Sequence, residues 1–140
     1  VKLLLDTRTL SELRADSRHK VKILSVLASV DDASVFLSSI TVGEITKGVA
    51  LLPKSKKKEE LRNWLDGLHN QFSKRVLPVD TDIARTWGEI SAQAQANGIT
   101  IPAPDGLIAA TALYHGLHVV TRNTKHFKAT GATIIDPWAE

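Results

Sequence analysis

Cysteine is absent from all 140 residues, so neither a disulfide framework nor a thiolate-ligated metal is possible. No apolar run approaches the roughly 18 residues of a membrane-spanning helix. The opening VKLLLDTRTL is interrupted by Asp6 and Arg8 too early for a signal peptide. The expectation is a soluble, cytoplasmic protein without membrane association. There is no G-x-x-x-x-G-K-[ST] loop, which disfavours a P-loop NTPase. Internal repeats, low-complexity tracts and linker-like stretches are also missing, and the length suits a single domain over residues 1–140.

What is present is ordinary globular material, 43% hydrophobic and 24% charged. The net charge of +3 fits a polyanionic partner without requiring one. Its distribution is more informative. Lys54, Lys56, Lys57 and Lys58 suggest a solvated loop, whereas Arg122, Lys125, His126 and Lys128 directly follow an apolar strand and are better placed for function.

Residues 1–5, 34–40 and 117–121 are short apolar runs of the kind buried on both faces of a parallel sheet, and 76–79 and 133–136 are shorter candidates. Helical stripes lie between them. Val42, Ile45, Val49 and Leu52 form one, stopped by Pro53; Leu61, Trp64, Leu65, Leu68 and Phe72 form another. Ile83, Trp87, Ile90 and Ala94 form a third, with Asp80 as N-cap and Gly98 past its end. A fourth helix spans about 105–115 and closes at Gly116. Alternating strands and helices indicate an α/β domain with a mainly parallel sheet.

Open parallel sheets place their sites beyond the carboxyl ends of the strands. Asp6 ends the first strand, Glu44 falls in the first turn of the helix after the second, and Asp105 opens the helix before the next long one. Singly, each has a structural explanation, Asp6 as a helix cap and the other two as acids favoured near a helix N-terminus. Together, at one sheet edge, they point to chemistry. Asp80 and Asp82 are read as caps, and Asp16, Asp31, Asp32 and Asp66 as loop or surface acids. Three adjacent carboxylates raise one another's pKa unless a cation intervenes. An all-oxygen donor set favours Mg²⁺ or Mn²⁺ over zinc. Such an ion polarises a phosphoryl oxygen and acidifies a coordinated water, the equipment for phosphodiester hydrolysis.

A family resemblance covers nearly the whole chain. Leu3-Leu4-Leu5-Asp6-Thr7, Ser38-Ser39-Ile40-Thr41-Val42-Gly43-Glu44-Ile45, Val76-Leu77-Pro78-Val79-Asp80, Asp105-Gly106-Leu107-Ile108-Ala109-Ala110-Thr111-Ala112, Val119-Val120-Thr121-Arg122-Asn123 and Asp136-Pro137-Trp138 occur in register. Together they closely resemble the PIN-domain toxins of the VapC/FitB type. The resemblance implies a three-layer α/β fold with a five-stranded parallel sheet, a Mg²⁺-dependent endoribonuclease, a homodimer and a cognate antitoxin. By position, Asp6, Glu44 and Asp105 match the family's metal-binding acids. Two residues depart from the pattern. Arg8 replaces the usual Asn, with contact to RNA phosphate, pairing with a site carboxylate and weakened metal affinity as the alternatives. His126 stands where members often carry a fourth acid, leaving Asn123 to offer a carbonyl oxygen directly or through water.

On this reading the three acids hold the ion, and one of them, with Asp105 the candidate, orients or deprotonates the attacking water. Thr7, Asn123 and Thr111 are candidates for supporting the ligands, with Thr111 equally readable as a packed helix residue; Arg8, Arg122 and Lys125 are candidates for holding the RNA backbone, without base selectivity for the latter two. The alternative is a PIN-fold binding module whose site Arg8 and His126 have weakened or disabled. A haloacid-dehalogenase-like phosphatase is disfavoured because Asp6-Thr7-Arg8 lacks the second aspartate.

Overall fold

The computed structural model describes residues 1–14 and 18–139; Asp16, expected as a surface acid, lies outside them. Five short strands, β1 (Leu3–Leu5), β2 (Val35–Ser38), β3 (Val76–Leu77), β4 (His118–Val120) and β5 (Ile134–Ile135), form one sheet in the order β3-β2-β1-β4-β5. Every pairing is parallel. The described helices are α1 (Thr7–Arg14), α2 (His19–Leu27), α3 (Ser39–Ala50), α4 (Lys56–Phe72), α5 (Thr81–Ala96), α6 (Ala103–His115) and α7 (Thr124–Lys128). The expected three-layer α/β architecture is present, with a sheet that is wholly parallel. Among the described residues no helix is long and apolar enough to cross a membrane.

Strand alternation divides the core. Leu3, Leu5, Val35, Leu37 and Val120 join Leu10, Ile45, Val49, Leu68 and Phe72 on one face. Leu4 and Val119 join Ile108, Ala109, Ala112, Leu117 and Phe127 on the other.

Local chemistry corrects several boundaries. The strand expected over 34–40 ends at Ser38, whose hydroxyl accepts the Ile40 N–H at 3.1 Å and caps α3. Helix α3 therefore starts at Ser39, and Glu44 falls in its second turn rather than its first. Of the lysine cluster only Lys54 lies in a loop; Lys56, Lys57 and Lys58 open α4. Ser55 caps α4 by accepting the Lys58 N–H at 3.1 Å. Lys58 Nζ donates to the Ala50 and Leu52 carbonyls at 3.2 and 3.0 Å, satisfying the end of α3. Asp80 caps α5 as expected, accepting from Ile83 N at 2.9 Å. Asp82 caps nothing and instead accepts from the Tyr114 hydroxyl at 3.2 Å. Gly116 ends α6 with φ +67°, a left-handed backbone that glycine adopts without a Cβ penalty.

Candidate active site

The chain crosses from one side of the sheet to the other between β1 and β4, and such a switch point opens a crevice at the strand ends. Asp6 is the first residue beyond β1. Its N–H extends the ladder to the Val120 carbonyl at 3.2 Å, and its own carbonyl accepts Leu10 N–H at 3.1 Å to begin α1. The side chain, only 6% exposed, is held at both oxygens. Oδ1 accepts Thr9 N–H at 2.9 Å, and Oδ2 accepts the Thr121 hydroxyl at 2.5 Å. Asp6 is thus a helix cap and a site acid at once. Burial pushes its carboxyl pKa up; the hydrogen bonds from Thr121 and Thr9 oppose this, and the negative charge of Asp105 adds to it.

Asp105 is the third residue of α6. Gly106 beside it allows close helix packing, since a Cβ there would lie 2.9 Å from both Cδ1 and Nε1 of Trp87 on α5. From the loop after β4, Asn123 Nδ2 donates to Asp105 Oδ2 at 3.0 Å, and His126 Nδ1 on α7 stands 3.1 Å from the same oxygen. Glu44 approaches from α3. Its Oε1 accepts the Thr7 hydroxyl at 2.6 Å, and Thr7 Oγ1 also lies 3.2 Å from Thr41 Oγ1.

The structure therefore brings Asp6 and Asp105 into electrostatic reach of one another and holds Glu44 to α1 through Thr7. Among the described residues, no group of three or more His, Asp and Glu side chains is spaced to hold a metal ion. Asn123 meets Asp105 through its amide nitrogen, not the carbonyl oxygen proposed as a ligand. Arg8, Arg122 and Lys125 are exposed. Of the alternatives for Arg8, pairing with a site carboxylate is not realised among the described residues. Of the two readings of Thr111, the packed helix residue is the one realised. It is fully buried and its hydroxyl donates to Leu107 within α6 at 2.8 Å. Sequence reasoning gave no role to Thr121, which both fixes Asp6 and accepts Asn123 N–H at 2.9 Å. Its position immediately after a strand was the available signal.

The PIN domain family matches residues 3–132 of the chain. Toxin FitB of Neisseria gonorrhoeae is 41% identical over 138 residues, covering 97% of this chain and 98% of that protein. VapC ribonuclease Y4jK of Sinorhizobium fredii is 39% identical over 140 residues, covering 97% of each. Among solved structures, FitAB bound to an IR36 DNA fragment superposes with a TM-score of 0.90 at 37% identity, covering 99% of this chain and 96% of that one. Similarity over nearly the full length settles the assignment: the chain belongs to the PIN-domain family and is of the VapC/FitB type.

Proposed function

We propose that this chain is the toxin of a toxin–antitoxin pair and a divalent-metal-dependent endoribonuclease. The observation that carries the proposal is buried Asp6 within electrostatic reach of Asp105 at the switch point, with no Lys or Arg ion-paired to either among the described residues. Two neighbouring carboxylates with oxygen donors around them suit Mg²⁺ or Mn²⁺. Mg²⁺ in particular is usually bound by one or two carboxylates and keeps several waters, so it does not require a closed cage of three acids. Asp6 and Asp105 would hold the ion, with Glu44 and Asn123 reaching it directly or through water. When bound, the ion supplies charge stabilisation at the phosphoryl oxygens and a more acidic water.

The chain's own residues do the rest. Thr121 and Thr9 aim Asp6, and Thr7 aims Glu44. Asp105, partly exposed and within electrostatic reach of the buried Asp6, orients the attacking water and takes its proton. Arg8, Arg122 and Lys125 hold the RNA backbone by charge. The partner reading is supported by the similarity to the FitAB and VapBC assemblies solved on DNA. A groove of about 480 Å³ lined by Thr7, Glu44, Leu61 and Trp64 supports it, being apolar and adjacent to a site acid. An antitoxin segment there would present a basic side chain to the carboxylates. A homodimer completes the proposal, supported by exposed Leu113 and Tyr114 on α6.

The test is cleavage of RNA by the purified chain in Mg²⁺ or Mn²⁺, with and without chelator. Asp105→Asn and Glu44→Gln are each expected to lose about 100-fold or more in rate while remaining folded. Full activity in excess chelator overturns the metal reading. A folded wild-type chain that cleaves no RNA with either ion, yet binds its antitoxin, is a binding module.

A further inference from the structure

We propose that His126 is the positioning residue of Asp105: its Nδ1–H and the Asn123 amide together occupy Asp105 Oδ2, which leaves Oδ1 as the oxygen free to act on the attacking water. The inference rests on the ribonuclease reading above and adds which atom of Asp105 acts and what holds it in place.

Three polar atoms meet beyond the end of β4. Asn123 Nδ2 lies 3.0 Å from Asp105 Oδ2, His126 Nδ1 lies 3.1 Å from the same oxygen, and the two nitrogens are 2.8 Å apart. The carboxylate decides the roles of the other two, because when ionised it can only accept. The Asn123 amide must turn its nitrogen toward it, since a reversed amide would set oxygen against oxygen at 3.0 Å. A proton on His126 Nδ1 likewise gives a charge-assisted bond to Oδ2. A bare Nδ1 would accept from a neutral amide and point its lone pair at the carboxylate. Hydrogen bonds to an ionised acceptor are about twice as strong as neutral ones, so the Nδ1–H form wins. Both nitrogens then donate to one oxygen, and their short separation is the crowding of two donors that share a target.

Oδ2 has two lone pairs, and both are taken. Among the described residues nothing donates to Oδ1. Rotation of the carboxylate, which would exchange the two oxygens, is opposed while both donors are in place. The donors are themselves fixed. Thr121 Oγ1 accepts the Asn123 N–H at 2.9 Å and donates to Asp6, so one loop sets both acids. Phe127, next to His126, is fully buried, and its N–H reaches the Asn123 carbonyl at 3.4 Å, tying α7 to that loop. His126 does for Asp105 what Thr121 does for Asp6. An acid in its place would set a second carboxylate against Oδ2.

The first measurement is of the tautomer. Correlation of the ¹⁵N and ¹H signals of the imidazoles is recorded on the full chain in chelator, well above the ordinary histidine pKa of about 6.5. His126 is expected to carry its proton on Nδ1, the form that free histidine disfavours, and Asp105→Ala should return it to Nε2. The second measurement is kinetic, on a pool of fluorophore–quencher oligoribonucleotides of random sequence with Mg²⁺ or Mn²⁺. His126→Ala should lower kcat about tenfold or more, with KM held within about twofold. His126→Asn, whose amide nitrogen can stand where Nδ1 does, should recover most of that loss. His126→Gln, which matches the other ring nitrogen, should not, and His126→Asp should be the slowest of the four. Circular dichroism verifies that each variant is folded. A His126 protonated at Nε2, equal losses in the Asn and Ala variants, or an Asp variant faster than the wild type overturns the inference and leaves the ribonuclease reading intact. Absence of any RNA cleavage by the folded wild type overturns both.

Discussion

On one face of the sheet, α6 lies with its small residues inward. Ala109, Ala110 and Ala112 are fully buried, and Gly106 meets the Trp87 indole. On the other face, Leu10, Leu27, Trp64, Leu68 and Phe72 cover β1 and β2 but leave an open cleft of about 680 Å³. The first face uses alanine and glycine to bring a helix close, and that closeness delivers Asp105 to the strand ends. Nothing there has room to adjust. The second face uses large side chains on α1, α2 and α4 and leaves apolar surface uncovered, beside the groove that reaches Glu44. Placement of site acids belongs to the closed face, and the surface suited to a partner belongs to the open one.

One chemical change applied to both faces tests this most severely. Ala109→Leu adds three carbons where there is no space, and overpacking of this kind should cost about 3 kcal/mol. Ala28→Leu adds the same atoms at the rim of the open cleft, on a right-handed helical backbone. It should change stability by no more than about 0.5 kcal/mol. Thermal unfolding distinguishes them, with a fall of about 10 °C expected for the first and almost none for the second. Equal losses would mean that the cleft closes in solution.

A smaller effect probes how the open face is held. Arg75 Nη1 donates to the Asp32 and Val35 carbonyls at 2.7 and 2.6 Å, and Nη2 donates to Gln71 at 3.0 Å. Its guanidinium also stands 4.8 Å from the Phe72 ring centre. A polar fork here ties the turn before β2 to the end of α4, where apolar packing is incomplete. A lysine ammonium cannot reproduce the fork. Arg75→Lys should therefore cost about 1–2 kcal/mol, read as a lower denaturant midpoint with unchanged slope. An unshifted midpoint would show the open face to be self-supporting.

The same contrast explains what the sequence made legible. The closed face was readable because short runs such as Leu3-Leu4-Leu5 and the Ala-rich stretch after Asp105 carry a plain burial signal. Asp80 and Gly116 were readable because each acts on its own helix end. Helix α2 escaped, since Val21 and Leu24 are exposed and only Ile23 is fully buried, which blurs any apolar stripe. Helix α7 escaped because it has five residues, and the sequence TKHFK shows charge rather than periodicity. Glu44 was misplaced by a turn because the boundary depends on one hydroxyl, that of Ser38. Local order also cannot reveal that Thr121 would hold Asp6 across 115 residues, or that His126 would turn toward Asp105.

The last and smallest effect concerns Asp6, whose carboxylate sits at the strand ends between the two faces. Burial raises its folded pKa above the unfolded value, so the folded state retains the proton to higher pH. Below the ordinary carboxylate range, near 4, the group is neutral in both states and carries no penalty. As pH rises from there through the folded pKa, the unfolded chain ionises first, stability falls, and the penalty then stays constant. Asp6→Asn removes the charge while preserving the geometry. The Asn oxygen accepts from Thr9 N–H, and its amide donates to Thr121 Oγ1, whose hydroxyl proton can rotate away. In chelator, the Asp6→Asn variant should melt at or above the wild-type temperature at neutral pH, with the difference closing as pH falls toward 4. The same variant should lose RNA cleavage. A lower melting temperature at every pH would mean that the two hydrogen bonds to the carboxylate outweigh its burial. Asp6 would then act as a structural cap first, rather than as a charge kept for the cation.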